Sequence, residues 1–240
     1  MPEDVKALIL CGGLGTRLRP LTYVTPKPLL PLGEKPILEH QIRFLQKNDV
    51  KNVILAVGYK RELIWKYFST ADLDDFDVSL EYVVEKEALG TGGGVKNARS
   101  CFGSTFLVLN GDILLDSLDI TKLVKFHKRK DGVGTILLKK VEDPSRYGVV
   151  QLTEDKITDF IEKPKGMKNK FINAGLYVLE PTIFNYIPNG KVSIEKRVFP
   201  KLAKKGKLYG FPYEGYWMDI GIPTDYENAQ RDILEGKIEI

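Results

Sequence analysis

The chain has few of the residues that metal centres and disulfide frameworks require. Its 240 residues include two cysteines and two histidines. Cys11 and Cys101 supply no framework of bridges. His40 and His127 lie far apart with no ligand spacing around them, which argues against a zinc site. No apolar run approaches the roughly 18 residues of a membrane-spanning helix, and the N-terminus has no signal-peptide pattern. A reduced, cytoplasmic protein with no membrane segment is the expectation. Charge of one sign is scarce as well: 36 Lys and Arg against 32 Asp and Glu leave a formal net charge of +4. No basic stripe with interleaved aromatics is present, so nucleic acid is not the expected partner. The nearest candidate, residues 125–130 (KFHKRK), fits the solvated end of a helix, where cations suit the dipole. Repeats, low-complexity tracts and linkers are also missing, so one domain over residues 1–240 is expected.

What the chain does have is a glycine loop behind a buried strand. The apolar run Val5–Cys11 empties into Gly12, Gly13 and Gly15, followed by Thr16, Arg17 and Arg19. Glycines let backbone N–H groups approach an anion closely, and arginine adds a forked charge for phosphate oxygens. A strand ending in such a loop is where an α/β sheet holds a nucleotide. Neither better-known glycine loop fits. The Walker pattern lacks its lysine, and the dinucleotide fingerprint has Leu18 where a third glycine belongs. Pro20 also opposes a helix continuing there. A tight turn with surface arginines accounts for the segment too, so the rest of the chain must decide.

Further apolar runs at 52–57, 78–84, 105–109, 133–141, 146–151 and 171–179 read as strands, several covered on both faces. Helical spacing recurs at 36–48 (with Pro36 at its first position), 60–69, 119–130, 193–204 and 223–234. In the last, Thr224–Glu227 forms a capping box behind Pro223. Residues 146–151 and 156–162, joined by Thr153-Glu154-Asp155, suggest a hairpin added to the main sheet. The expected fold is an α/β three-layer sandwich with a mixed, mostly parallel sheet.

Several constellations carry chemistry. Prolines flank Lys27 and are expected to hold it on extended backbone as a second phosphate contact. The glycine-rich stretch 90–94, with Thr91 placed to cap a following helix, follows the carboxylates Glu85 and Glu87 and could lie flat against a ring or ribose. Asp112 ends the buried run Phe106–Leu109, at the edge where α/β ligands bind. Asp219 is a second aspartate in apolar sequence. Two such carboxylates plus a polyphosphate suit Mg²⁺, although spacing cannot bring them together. Glu162-Lys163-Pro164, Asn173-Ala174-Gly175 and Arg146-Tyr147-Gly148 stand at apparent strand ends. Taken singly, each reads more readily as a structural turn.

These segments, in this order, resemble the sugar-nucleotidyltransferase family. Its landmarks are the glycine–arginine loop with Pro20-Leu21-Thr22, the Pro26-Lys27-Pro28 triplet, Asn110-Gly111-Asp112 and Glu162-Lys163-Pro164. The resemblance covers residues 5–230 and implies a Rossmann-like nucleotide-diphospho-sugar transferase fold. Within the family, residues 89–93, 141–150, 173–177, 193–196 and 217–223 are most similar to the mannose-1-phosphate guanylyltransferases. Two departures stand out. Those enzymes usually carry a C-terminal left-handed β-helix, which these residues do not include. They also often have Asn-Ser before the aspartate, whereas short uridylyl- and heptose guanylyltransferases have Asn-Gly.

The resemblance implies transfer of a nucleotidyl group from a nucleoside triphosphate to a sugar 1-phosphate, with Mg²⁺ and release of pyrophosphate. GTP with mannose 1-phosphate is the first choice. UTP with glucose or an N-acetyl sugar 1-phosphate, and GTP with heptose 1-phosphate, stay open. The implied catalytic residues are Arg17, Lys27, Asp112 and Lys163. Leu10, Gly12, Gly13, Gly15, Thr16, Arg17, Lys27, Glu85, Gly90 and Thr91 bind the nucleotide. Gly111, Tyr147, Gly148, Glu162, Lys163 and Asn173 bind the sugar phosphate, and Asp112 and Asp219 hold the metal. No nucleic acid or membrane partner is implied, and a homo-oligomer is allowed. A non-catalytic nucleotide-sugar sensor should have lost a metal aspartate or the loop, and this chain keeps both. A dehydrogenase would need an acidic residue ending the second strand, where Gly58 stands.

Overall fold

The computed structural model describes residues 5–71, 76–164 and 166–238. The first part of the chain forms β1 (Ala7–Cys11), β2 (Pro31–Leu32), β3 (Lys35–Pro36), α1 (Ile37–Lys47), β4 (Asn52–Val57), α2 (Arg61–Thr70) and β5 (Ser79–Val84). The middle adds α3 (Gly90–Asn97), β6 (Phe106–Asn110), β7 (Ile113–Leu115), α4 (Ile120–Lys128), β8 (Gly134–Val141), β9 (Gly148–Thr153), β10 (Lys156–Glu162) and β11 (Lys170–Leu179). The last part contributes α5 (Ile194–Arg197), α6 (Phe199–Lys204), β12 (Leu208–Tyr213), β13 (Trp217–Asp219) and α7 (Pro223–Leu234).

Nine strands make one mixed sheet in the order β5-β4-β1-β6-β11-β8-β12-β10-β9. The neighbours β5, β4, β1 and β6 run parallel, while β11 is antiparallel to both β6 and β8. Side chains of β1 alternate between the two faces, as strand geometry demands. Ala7, Ile9 and Cys11 meet Leu38, Ile42 and Leu45 of α1, Ile64 of α2 and Leu123 of α4. Leu8 points the other way, toward Val95 of α3, Ile194 of α5 and Phe199 of α6. That is the expected three-layer sandwich, and the β9–β10 hairpin is present at its far edge.

A third apolar cluster stands apart from these two and bears directly on the site. It joins Leu18, Leu30 and Leu32 to Leu114 of β7, Ile220 beyond β13 and Ala229 of α7. Fully burying a side chain such as Leu18 contributes about 1.5–3 kcal/mol. This cluster therefore ties the backbone of the glycine loop to β7 and β13.

Several local expectations are corrected. The segment 193–204 is two short helices, not one, because Pro200 has no N–H for Lys196 and interrupts the ladder at Val198. The helix at 223 starts at Pro223 with Ile222 as N-cap, so Thr224 lies inside it and caps nothing. Pro36 likewise stands at the N-cap and not at the first helical position. Lys27 is not on extended backbone. Pro26 is extended, but Lys27–Leu29 closes a 3₁₀ turn, which Pro28 tolerates because early N–H groups there need no intrahelical partner. Asn173-Ala174-Gly175 lies within β11 at a break in its register with β8. In the basic run 125–130, His127 is buried against Thr135 and Glu180. Strands β2, β3, β7, β12 and β13 were not expected.

Candidate functional site

A cleft of ≈ 510 Å³ opens at the C-terminal ends of β1 and β6, and every residue anticipated for binding or catalysis lines it. One wall is the glycine loop with Thr16 and Arg17. The loop is braced from below: Thr22 Oγ1 donates to the Gly15 carbonyl at 2.9 Å, and Tyr59 Oη donates to the Thr22 carbonyl at 3.1 Å. Arg17 is exposed and free to meet an anion. Lys27 stands beside the loop, where a Cβ on Gly15 would come within 3.1 Å of its own Cβ, and it is fixed by its ion pair with Asp112 at 2.6 Å.

Sequence spacing could not bring Asp112 and Asp219 together, but strand pairing does. Strand β13 runs antiparallel to β7 with Asp219 opposite Ile113, and the Ile220 N–H donates to the Asp112 carbonyl at 2.7 Å. The two carboxylates are shifted in opposite directions. Burial alone would raise the Asp112 carboxyl, but the Lys27 ammonium and then Arg17 override it and hold it below its ordinary range. Asp219 is pushed up to about 7 by burial first and by the neighbouring Asp112 charge second. Its Oδ1 is buried without a hydrogen-bond partner.

A buried, unpartnered carboxylate oxygen beside a second carboxylate is the donor set that a hard divalent cation favours. Among the described residues no group of three or more His, Cys, Asp or Glu side chains could hold a metal. The two aspartates alone would leave most ligand positions to phosphate oxygens and water. Nucleotidyl transferases of this family generally use a divalent metal.

The opposite end of the cleft is built from β9, β10 and β11. Gly148, Glu162 and Asn173 face each other there, with Tyr147 and Lys163 at the rim. Asn173 Oδ1 accepts from the Gly175 N–H at 2.9 Å, and its Nδ2 donates to Tyr177 Oη at 2.9 Å. Burial raises the Glu162 carboxyl, with Glu195 adding to the shift and Lys163 opposing it.

The third corner holds Leu10, Ala88, Gly90 and the Glu85 carboxylate. Glu85 is 9% exposed and lies where a Cβ on either Gly12 or Gly94 would come within 2.7 Å of its oxygens. Burial raises its pKa, and a long bond from the Leu89 N–H at 3.5 Å is a weak counterweight. Thr91 does not cap its own helix. Its hydroxyl accepts from the Ile194 N–H at 3.0 Å and donates to Glu195 Oε2 at 2.6 Å, so it braces the start of α5.

The cleft also contains side chains that sequence reasoning did not single out for the site. Glu195 is 9% exposed and accepts from both Thr91 and Ser193. Trp217 donates to the Ala174 carbonyl at 2.8 Å and packs edge-on against Tyr147. Arg146, next to Tyr147, is paired with Asp225 of α7 at 2.7 Å, and Lys191 stands at the mouth. Position beside Tyr147 was the available hint for Arg146; Lys191 gave none.

A nucleotide-binding α/β sandwich with a glycine–arginine loop and two carboxylates near its strand ends defines the class. Residues 6–236 match the nucleotidyl transferase family, and the chain belongs to it. The chain is 43% identical over 92% of its length to a mannose-1-phosphate guanyltransferase of Kluyveromyces lactis. It is 44% identical over 93% to a mannose-1-phosphate guanylyltransferase catalytic subunit beta of Drosophila pseudoobscura pseudoobscura. It spans 63% and 61% of those two relatives' lengths. Among solved structures it is similar to HddC from Yersinia pseudotuberculosis, with a TM-score of 0.80 and 32% identity over 95% of this chain and 99% of that one.

Proposed function

We propose that this chain transfers a guanylyl group from GTP to mannose 1-phosphate, releasing pyrophosphate and forming GDP-mannose. The observation that carries the proposal is one cleft with three chemically distinct ends. A cationic loop meets the Asp112–Asp219 pair, and both face a pocket of Asn173, Glu162 and Gly148 suited to sugar hydroxyls. The similarity to mannose-1-phosphate guanyltransferases supports the choice of sugar and base, and a second structure of HddC is complexed with GMP-PN. Glu85 supports guanine independently. Its two oxygens can accept from adjacent N1–H and N2–H donors, and uracil, cytosine and adenine do not present that pair.

The sugar phosphate needs little activation, because a phosphate monoester loses its second proton near about pH 6. The work is positioning two polyanions in line and neutralising their charge. Arg17 and the backbone of Gly12, Gly13 and Gly15 hold the triphosphate, Arg17 meeting the charge that grows on departing pyrophosphate. Lys27 contacts the same phosphates, and Lys163 grips the sugar phosphate. Asp112 and Asp219 would hold Mg²⁺, which as a Lewis acid screens phosphate oxygens when bound. Leu10, Gly90 and Thr91 flank the base and ribose, while Gly111, Tyr147, Gly148, Glu162 and Asn173 surround the sugar. The sheet running from Ala7 to Tyr213 supports one nucleotidyltransferase domain. The two free cysteines suit a cytoplasmic setting.

The test is pyrophosphate release with Mg²⁺ across GTP, UTP, dTTP, CTP and ATP, each against mannose, glucose, N-acetylglucosamine and heptose 1-phosphates. GTP with mannose 1-phosphate should give the highest kcat/KM. Another best pair would overturn the choice of substrates. Silence across the panel with tight binding of a nucleotide sugar would favour a sensor.

A further inference from the structure

Behind the cleft, on α1, Gln41 is 3% exposed and does not itself line the cleft. Its Nε2 donates to two main-chain carbonyls, Asn110 at 2.8 Å and Ile113 at 2.9 Å. These carbonyls bracket the Gly111–Asp112 turn. Strand pairing does not serve them from the β11 side, because β11 pairs with β6 only as far as Leu109. A buried carbonyl without a donor is costly, and a neutral side-chain amide offers two hydrogens from one nitrogen without importing a charge. The opposite amide orientation would aim Oε1 at two carbonyl oxygens, so the hydrogen-bond pattern itself fixes which atom faces the turn.

The other contacts of the turn leave it little freedom. The backbone of Gly111 lies against the Leu10 carbonyl so closely that a Cβ there would collide with it. Ile220 N–H holds the Asp112 carbonyl at 2.7 Å. Ile113, whose carbonyl Gln41 grips, is also the register partner of Asp219. Helix α1 is anchored through Leu38, Ile42 and Leu45 in the core, so the amide refers both carboxylates to a rigid element. We infer that Gln41 is a positioning residue that sets where the Asp112 carboxylate stands relative to Asp219. The inference rests on these aspartates being the cation ligands proposed above.

The test compares the wild-type chain with Gln41→Met, which keeps the volume and removes both donors, and Gln41→Asn, which keeps the donors but falls short. Mn²⁺ binding is read by the electron paramagnetic resonance of the free ion, GTP binding is read in EDTA, and kcat and KM are measured with Mg²⁺. Both variants should fold and bind GTP in EDTA like the wild type. Mn²⁺ affinity and kcat should each fall about 10- to 100-fold, as is typical when a group supporting a metal ligand is removed. A folded variant with wild-type Mn²⁺ affinity overturns the inference. So does equal weakening of metal-free GTP binding, or failure of both variants to fold, since the amide would then serve the fold as a whole. If the wild-type chain itself bound no Mn²⁺, the assignment of the ligands would fail instead.

Discussion

The Lys27 ammonium stands 2.6 Å from Asp112 Oδ2, with only 11% of the lysine side chain exposed. In the proposed roles, a lysine that contacts phosphate is thus held on a carboxylate that would hold a cation. The two cations compete for one anion, and this competition has a measurable sign. Lys27→Met should lower kcat by roughly 10²–10³, the usual loss when one preorganised contact to developing charge is removed. The same variant should bind Mn²⁺ alone more tightly than the wild type, because Asp112 is released. Calorimetry with the ion, set beside turnover, checks both directions; a parallel loss of metal affinity would refute the competition.

Asp219, pushed up to about 7, predicts a pH dependence of metal binding. Below that pH the carboxyl is protonated, and a cation must displace the proton. Apparent metal affinity should therefore fall as pH drops through 7, approaching about tenfold per unit. In Asp219→Asn this slope should vanish along with most turnover.

The same shift acts on stability with the opposite sense. The folded Asp219 pKa lies above its unfolded value, so the native state retains a proton that the unfolded chain has lost. Its contribution is present below the unfolded value and is lost as pH rises through about 7. Metal-free Asp219→Asn should consequently melt higher than the wild type at pH 8, by a few degrees, since about 1 kcal/mol shifts Tm by roughly 2–4 °C at this size. Differential scanning calorimetry at pH 6 and 8 checks it, and an unchanged or lower Tm at pH 8 would count against the buried charge.

Glu85→Gln should erode base selectivity before it erodes catalysis. A hydrogen bond to a charged group contributes about 1.5–3 kcal/mol, so the kcat/KM ratio of GTP over UTP should fall roughly tenfold to a hundredfold. Wild-type rates with mannose 1-phosphate under saturating GTP should change much less. If the ratio holds, guanine is read by other groups.

Lys163 has a left-handed backbone, φ 52°, and an exposed side chain whose amine lies 4.0 Å from Glu162. It is loosely held, unlike Lys27. Lys163→Gln should raise KM for the sugar phosphate about tenfold or more while the KM for GTP stays within a factor of two. Initial-rate kinetics with each substrate varied in turn would show a mistaken assignment as a rise in the wrong KM.

Much of this site was legible in the sequence because its backbone geometry demands particular residues. Glycines in the loop after β1, prolines around Lys27 and an aspartate just beyond β6 each leave a local signature. The meeting of Asp112 with Asp219 left none, since it depends on β7 and β13, three-residue strands too short to show a period. Glu195, Trp217 and Arg146 were overlooked as site residues because buried glutamate, aromatic packing and a surface ion pair look ordinary until the chain is folded. Gln41 was invisible for a related reason: its spacing on α1 is that of a core-facing residue, and only the carbonyls it meets reveal its task. The errors at 193–204 and 223 were of another kind. One continuous helix was expected across Pro200, and Pro223 was placed ahead of a capping box; each proline stands instead in the first turn of its helix, where no intrahelical N–H is needed.

The apolar cluster of Leu18, Leu114, Ile220 and Ala229 gives α7 a mechanical office. Leu18 follows Arg17, Leu114 lies two residues beyond Asp112, and Ile220 follows Asp219, so these three cleft residues share one footing with this helix. The Arg146–Asp225 ion pair adds a strut from the helix to the sugar end. A displacement of α7 would therefore act, through Leu18, Leu114 and Ile220, on the glycine loop and both carboxylates at once. None of the helix's residues lines the cleft, yet it backs the neighbours of three that do.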